Sequence, residues 1–351
     1  MAMRSIRSGG SRTAILACVA GMAVTATSAQ AQVRDWNGGS GSWHLASNWS
    51  PNNVPDTGSE IAQVVALGAY TISVTSTVDV GSVQAANATA TIAVSPGIEF
   101  RLVGSSTNSG IMLINSSGAN AATLFRMLNP LLLDGTGTLR LNAFPSNLNS
   151  AYITDNGGGQ TLTNGIAHSI VGVGTVYSNL VNNGVVIADV SGARLDLNGS
   201  TKTNNGSFRA QGGAELSITS ATVNQISSAA ITADAAQVSI CNSTISGGTI
   251  EAINGGDVRT TCTNHFASVG VEGPFFMEFG HEARLITQLA LDGTFTVNRN
   301  ATNSATLIRN LTNVDLIGTG QLVLNANSGN LDSAYISDNG GGQVLSNLGP
   351  T

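Results

Sequence analysis

Between residues 182 and 261 the chain repeats one short pattern four times: NNGVVIADVSGARLDLNG (182–199), NNGSFRAQGGAELSITS (204–220), SAAITADAAQVSICNS (228–243) and SGGTIEAINGGDVRTT (246–261). Each unit reads as a β-branched strand ending in alanine, a polar or glycine turn, and a second alternating strand. The strand-ending alanines Ala188, Ala210, Ala233 and Ala252 follow one another at intervals of 22, 23 and 19 residues. Within ARLDL (193–197), a period of two puts Leu195 and Leu197 on one face and Arg194 and Asp196 on the other. A strand pair this short buries too little surface to stand alone, whereas stacked copies pair their backbones and join their apolar faces. The pattern therefore predicts an all-β fold, a parallel β-solenoid of ~20–25-residue coils. At ~22 residues per coil, residues 61–351 make about 13 coils and a rod on the order of 60 Å. A β-propeller also repeats short strands, but its blades need about four strands per 40–50 residues, joined by hairpins.

A longer repeat is superimposed on the short one. Residues 97–164 return as 280–347 at a constant offset of 183, without a gap, and 34 of the 68 pairs are identical. The 183-residue unit corresponds to roughly eight coils at that coil length. In the first copy NGGGQTLTN leads on into GIAHSIVGVGTVYSN (165–179), while the second copy reaches Pro350 and Thr351 just after NGGGQVLSN. The expectation is a duplicated block cut short, either ended by Pro350 or belonging to a longer gene product.

The first 31 residues have the form of a secretory signal: Arg4, Arg7 and Arg12, an apolar run, and Ala29-Gln30-Ala31 as the cleavage site. The apolar run from Ala14 to Ala26 is too short to span a bilayer. A lipoprotein signal centred on Cys18 is the alternative. The mature chain is expected to be exported, to the cell surface, the medium or the periplasm, with no membrane span. Losing the three leader arginines leaves eleven basic against twenty acidic residues, and Lys202 is the only lysine. An acidic chain without a basic patch is a poor nucleic-acid ligand. Cys241 and Cys262 are the cysteines that remain, and in an oxidising compartment they are expected to form a disulfide, two free buried thiols being the alternative.

All three tryptophans, Trp36, Trp43 and Trp49, stand in DWNGGSGSWHLASNWSPNNVP (35–55), ahead of the first strand-like run. Solenoids need closed ends, so residues 32–60 are expected to form a Trp-rich N-terminal cap before the solenoid of 61–351. The alternative is a surface on which the indoles stack against a sugar.

With its tryptophan-rich opening and its NNGVVIADVSGARLDL-type units, the chain resembles bacterial exported β-strand-repeat proteins, the autotransporter-passenger-like and pectin-lyase-like right-handed β-helices. The chain is expected to depart from true autotransporters in lacking a translocator barrel after the repeats, so self-secretion through an outer-membrane pore is not expected. The resemblance implies a right-handed winding and a surface or extracellular role, often adhesive or structural.

Chemistry is hard to find. Glycoside hydrolysis needs two carboxylates about the scissile bond, and elimination needs acids for Ca²⁺ with a base to take the proton. Glu99 with Arg101, repeated as Glu282 with Arg284, reads as an exposed ion pair; Arg126 and Arg309 are expected on the outer face. The repeated loops SAYITDNGGGQ (150–160) and SAYISDNGGGQ (333–343) are the candidate ligand sites. There Asp155, Asn156, Asp338 and Asn339 could offer oxygens to Ca²⁺ or a sugar, or the glycines could simply make a sharp corner beside Tyr152 and Tyr335. Cys241, Cys262, His265 and His281 match no common zinc spacing, and no G-x-S-x-G, H-E-x-x-H or phosphate loop occurs. No catalytic residue and no cofactor is assigned. The expectation is a structural or adhesive solenoid with a glycan partner, against a polysaccharide lyase or hydrolase on the same scaffold.

Overall fold

The computed structural model describes residues 31–349; nearly all of the expected leader, Cys18 and Pro350 lie outside the described residues. Alternation dictates the strands. In Ser207–Gln211 the side chains of Phe208 and Ala210 are buried while those of Ser207, Arg209 and Gln211 are not. A full coil has three such strands, for example Val185–Ala188, Arg194–Asn198 and Thr201–Asn204. Each pairs in parallel with its counterpart one coil on, namely Ser207–Gln211, Glu215–Thr219 and Thr222–Gln225. The result is a long, mostly parallel all-β sheet with no α-helix among the described residues, a topology compatible with a β-solenoid. Below, the first face is the one carrying Thr201–Asn204, the second carries Val185–Ala188, and the third carries Arg194–Asn198.

The sequence pattern suggested two strands per unit, and the structure has three. The extra strand runs through what reads as a polar turn. Its inward side chains, Lys202 and Asn204, are both fully buried, so no apolar alternation announces it.

Side chains stack in columns. On the third face Leu195, Leu216, Val238, Val258, Phe275 and Phe295 lie in register on successive coils, each at most 1% exposed. Burying one such side chain stabilises the fold by about 1.5–3 kcal/mol. On the second face the four repeated alanines form a column of their own, Ala188 to Ala210 to Ala233 to Ala252.

At the corner between the first and second faces, buried amides form a chain along the axis. Asn108 donates to His168 Nε2 (3.2 Å), and His168 Nδ1 donates to Asn164 (2.8 Å). Asn164 donates to Asn182 (2.8 Å), Asn182 to Asn204 (3.0 Å), Asn204 to Gln225 (3.0 Å), and Gln225 to the Gly247 carbonyl (3.0 Å). Burial pushes the His168 pKa down to about 4, so the ring is neutral and supplies one donor and one acceptor to this chain. Lys202 is likewise held inside, its pKa lowered by burial to about 7, and its ammonium donates to Ser178 O, Ser200 Oγ and Asn198 O.

At the N-terminal end Gln32–Trp36 pairs in parallel with Glu60–Val64 and antiparallel with Trp49–Ser50. Trp36, Trp43 and Trp49 are 3%, 0% and 0% exposed. Trp49 meets Trp36 and Trp43 edge-to-face at 5.0 and 4.8 Å, and Trp43 meets Phe100 at 5.5 Å. Each indole N–H is satisfied by a backbone carbonyl: Trp36 by Gly39, Trp43 by Pro55, Trp49 by Trp43.

The duplicated block spans eight whole coils plus one further face. Glu99–Leu102 lies on the third face, between Val78–Val80 and Thr123–Met127. Its copy, the start of Glu282–Leu291, lies on the first face beside the start of Thr263–Glu272. Every element of the second copy is thus turned one face round the axis relative to the first. The Cys241–Cys262 disulfide joins two adjacent coils.

Candidate functional site

The two DNGGGQ loops are not brought together. The first follows Ala151–Asp155 at the corner between the third and first faces; the second follows Ala334–Asp338 between the first and second. Eight coils and a face at ~4.8 Å per coil separate them by about 40 Å along the axis. In both, the carboxylate serves its own turn. Asp155 Oδ1 accepts from Gly157 N (2.9 Å), and Asp338 accepts from Gly340 N and Gly342 N (3.0 Å each). Gly157 and Gly159 take φ of 80° and 71°, as do Gly340 and Gly342 at 81° and 71°, the left-handed region a sharp corner needs. Asn156 and Asn339 are exposed beside these turns.

The tryptophans are buried against one another, so none of the three offers a ring face to a sugar. The zinc arrangement is ruled out because Cys241 and Cys262 share a disulfide. Among the described residues no three His, Cys, Asp or Glu side chains gather as metal ligands.

What the structure does assemble is an outer furrow along the third face. Residues 143–150 leave the second face and fold over the coils that follow. Asn147 Oδ1 accepts from Asn149 N (3.1 Å) to start a single 3-10 turn, Leu148–Ser150. Asn149 Oδ1 then accepts from Tyr177 Oη (2.7 Å) and Thr175 Oγ1 (3.3 Å) one coil below. Under this overhang lies a depression of about 330 Å³ lined by Asn147, Asn149, Tyr177, Arg194, Asp196 and Asn198. It shares Arg194, Pro145 and Leu148 with a second depression of about 300 Å³, which runs on past Glu215 to Gln237. Gln237 also borders a third depression of about 500 Å³, with Ser239, Arg259, Glu278 and Arg299. Sharing these residues, the three depressions adjoin one another across successive coils and together are called the furrow.

Toward its Arg299 end the charges are paired. Arg259 bonds Asp257 (2.8 Å); Arg299 reaches Asp257 and Glu278 (3.4 Å each) and lies over the Phe276 ring at 4.1 Å. Asp196 accepts from Asn198 (3.0 Å) and Thr219 (2.9 Å). Above the furrow on the same face, Arg101 joins Asp79 (3.3 Å) and Glu99 (2.6 Å), and Arg126 joins Glu99 (2.9 Å). Burial raises the Glu99 carboxyl, and hydrogen bonds and charge from Arg101 and Arg126 outweigh it, holding its pKa below the ordinary value. The repeat preserves the arrangement one face round, where Glu282 accepts from Arg284 (3.1 Å) and Arg309 (2.5 Å). The expected two-residue ion pair is therefore part of a larger cluster: four residues around Glu99, with Asp79 and Arg126 from the neighbouring coils, and three around Glu282, with Arg309 from the next coil. Tyr152 packs edge-on against Tyr177 at 5.8 Å.

The furrow was missed in the sequence because its parts lie far apart along the chain, from Pro145 to Arg299. One available signal was the concentration of the few charged residues at outward positions of second strands: Arg194, Asp196, Glu215, Asp257 and Arg259. The chain matches no protein-family profile, no curated protein and no solved structure.

Proposed function

We propose that the chain is an exported structural or adhesive protein, a right-handed parallel β-helix of the bacterial β-strand-repeat kind, that holds an extended glycan along its third face. Its tryptophan-rich segment closes the N-terminal end. One observation carries this reading: three depressions adjoin along successive coils and offer polar and charged side chains with an aromatic ring, Tyr177, at one end. A repeating ligand meets repeating sites about 4.8 Å apart, and polar grooves with aromatic stacking suit sugars, whose rings have both apolar faces and hydroxyl rims. Ca²⁺ would find its carboxylates at Asp155 and Asp338, where oxygens are already committed to the turns.

A second reading, a polysaccharide lyase or hydrolase on the same scaffold, is favoured by the convergence of Asp257, Arg259, Glu278 and Arg299. Both carboxylates there are tied to guanidiniums, which suits holding charge in place better than donating a proton.

A glycan array together with a depolymerisation assay, with and without Ca²⁺, separates the two. Retention of a polysaccharide without product is expected, and Tyr177→Ala should weaken it about tenfold, a loss of ~1.4 kcal/mol. Release of reducing or unsaturated ends, abolished by Glu278→Gln, would establish the enzyme instead.

A further inference from the structure

We propose that the first face binds the surface of ice over the five coils from Thr161–Asn164 to Thr244–Ser246. Between these strands lie Asn179–Asn182, Thr201–Asn204 and Thr222–Gln225, all paired in parallel with unbroken register. Alternation turns two side chains of each strand outward, and they fall into two straight columns. Thr161, Asn179, Thr201, Thr222 and Thr244 make the first column. Thr163, Val181, Thr203, Asn224 and Ser246 make the second. All of them are exposed or half-buried. None is charged and none is aromatic, so this stretch of the face is neutral.

Unspent hydrogen bonding sets this face apart. The hydroxyls of its threonines and of Ser246, and the Asn224 amide, bond no protein group among the described residues. Outward hydroxyls on the third face are spent: Thr219 donates to Asp196 (2.9 Å) and Ser239 to Glu215 (2.6 Å). Beneath the array Leu162, Leu180, Lys202, Val223 and Ile245 stack in register, each at most 1% exposed. The strands are therefore fixed from within, and a β-branched side chain is stiff at χ1. Hydroxyls and methyls stand in place before any ligand arrives.

The size and period of the array select the occupant. Steps of about 4.8 Å along each column and about 6.6 Å between columns give an area of roughly 300 Å², far short of the ~800 Å² a side that a stable protein partner needs. So small a neutral face gains by repetition, which calls for a ligand with the same period. Tetrahedrally bonded water supplies it: with neighbouring oxygens about 2.75 Å apart, second neighbours lie about 4.5 Å apart. The mismatch with the coil step accumulates to about 1.2 Å over four steps, under a third of one lattice step. Each column can thus place its hydroxyls where lattice oxygens would stand, with the threonine methyls between them. The glycan furrow lies on another face and uses the charges and the ring that this one lacks.

The test is uptake of the fluorescently labelled full-length chain into a slowly growing ice ball, beside an inert globular protein that growing ice excludes. Enrichment of the chain at least tenfold over that control is expected. Thr203→Lys and Thr222→Lys should each cut uptake at least tenfold at an unchanged melting temperature, because both side chains point outward. Thr222→Ser, which keeps the hydroxyl, should lose less. Exclusion of the parent chain from ice overturns the proposal, and so does uptake that both lysine variants leave unchanged. Retention on crystalline cellulose or chitin, lost in those variants while the parent is excluded from ice, would assign the face to a polysaccharide surface instead.

Discussion

At His168 the burial of a titratable ring is balanced against the two amides it joins. Neutral, the ring accepts from Asn108 and donates to Asn164; protonated, it would turn a second N–H toward the Asn108 amide. Its pKa of about 4 in the folded chain lies below the ordinary value of 6.5, so between these values the unfolded chain binds more protons. Stability is therefore fully present above pH 6.5 and falls as the pH drops toward 4, by about 3 kcal/mol in all. Urea midpoints from pH 7.5 to 4 should show this fall. His168→Leu should flatten it over that window, at a cost of about 1–3 kcal/mol at neutral pH for the unpaired amides. An unchanged slope in the variant would mean that other groups set the acid sensitivity.

At the scale of the element, the disulfide ties a strand to the corner one coil on, closing a loop of 21 residues. Cys262→Ser should cost about 3 kcal/mol by loss of loop-closure entropy from the unfolded chain, and the loss should be read in coils near Gln237–Cys241 before distant ones. Equal exchange rates there in the variant and parent would refute it. This pairing was legible in the sequence, because two cysteines about one repeat apart in a stack of short strands stand on adjacent turns. The second and third faces were legible for a similar reason: Phe208 and Ala210, or Leu195 and Leu197, declare an apolar side. The first face was not, since Lys202 and Asn204 replace that signal with buried polar groups whose partners come from other coils. The furrow shares this illegibility, because Asn149 meets Tyr177 only after residues 143–150 fold over the coil below.

For the whole molecule, the decisive property is that each coil pairs its strands with its immediate neighbours, so stability is largely a sum of local terms and the ends are the weak points. The duplication was plain in the sequence, but its turn by one face was not, because coil lengths vary and only the strand pairing counts them. That turn puts the Glu99 and Glu282 clusters on different faces, the third and the first. If the buried tryptophans close the N-terminal end, Trp43→Ala should cost about 3–5 kcal/mol. In a one-dimensional stack that loss is spent locally. Amide exchange should quicken by orders of magnitude in Gln32–Trp36, Glu60–Val64 and Tyr70–Val74, and hardly at all in Glu215–Thr219. Glycan retention along the third face, whose furrow begins many coils away at Asn147, should persist while the end frays. An unchanged melting temperature with retention lost would reverse the assignment, making the tryptophans part of the binding surface.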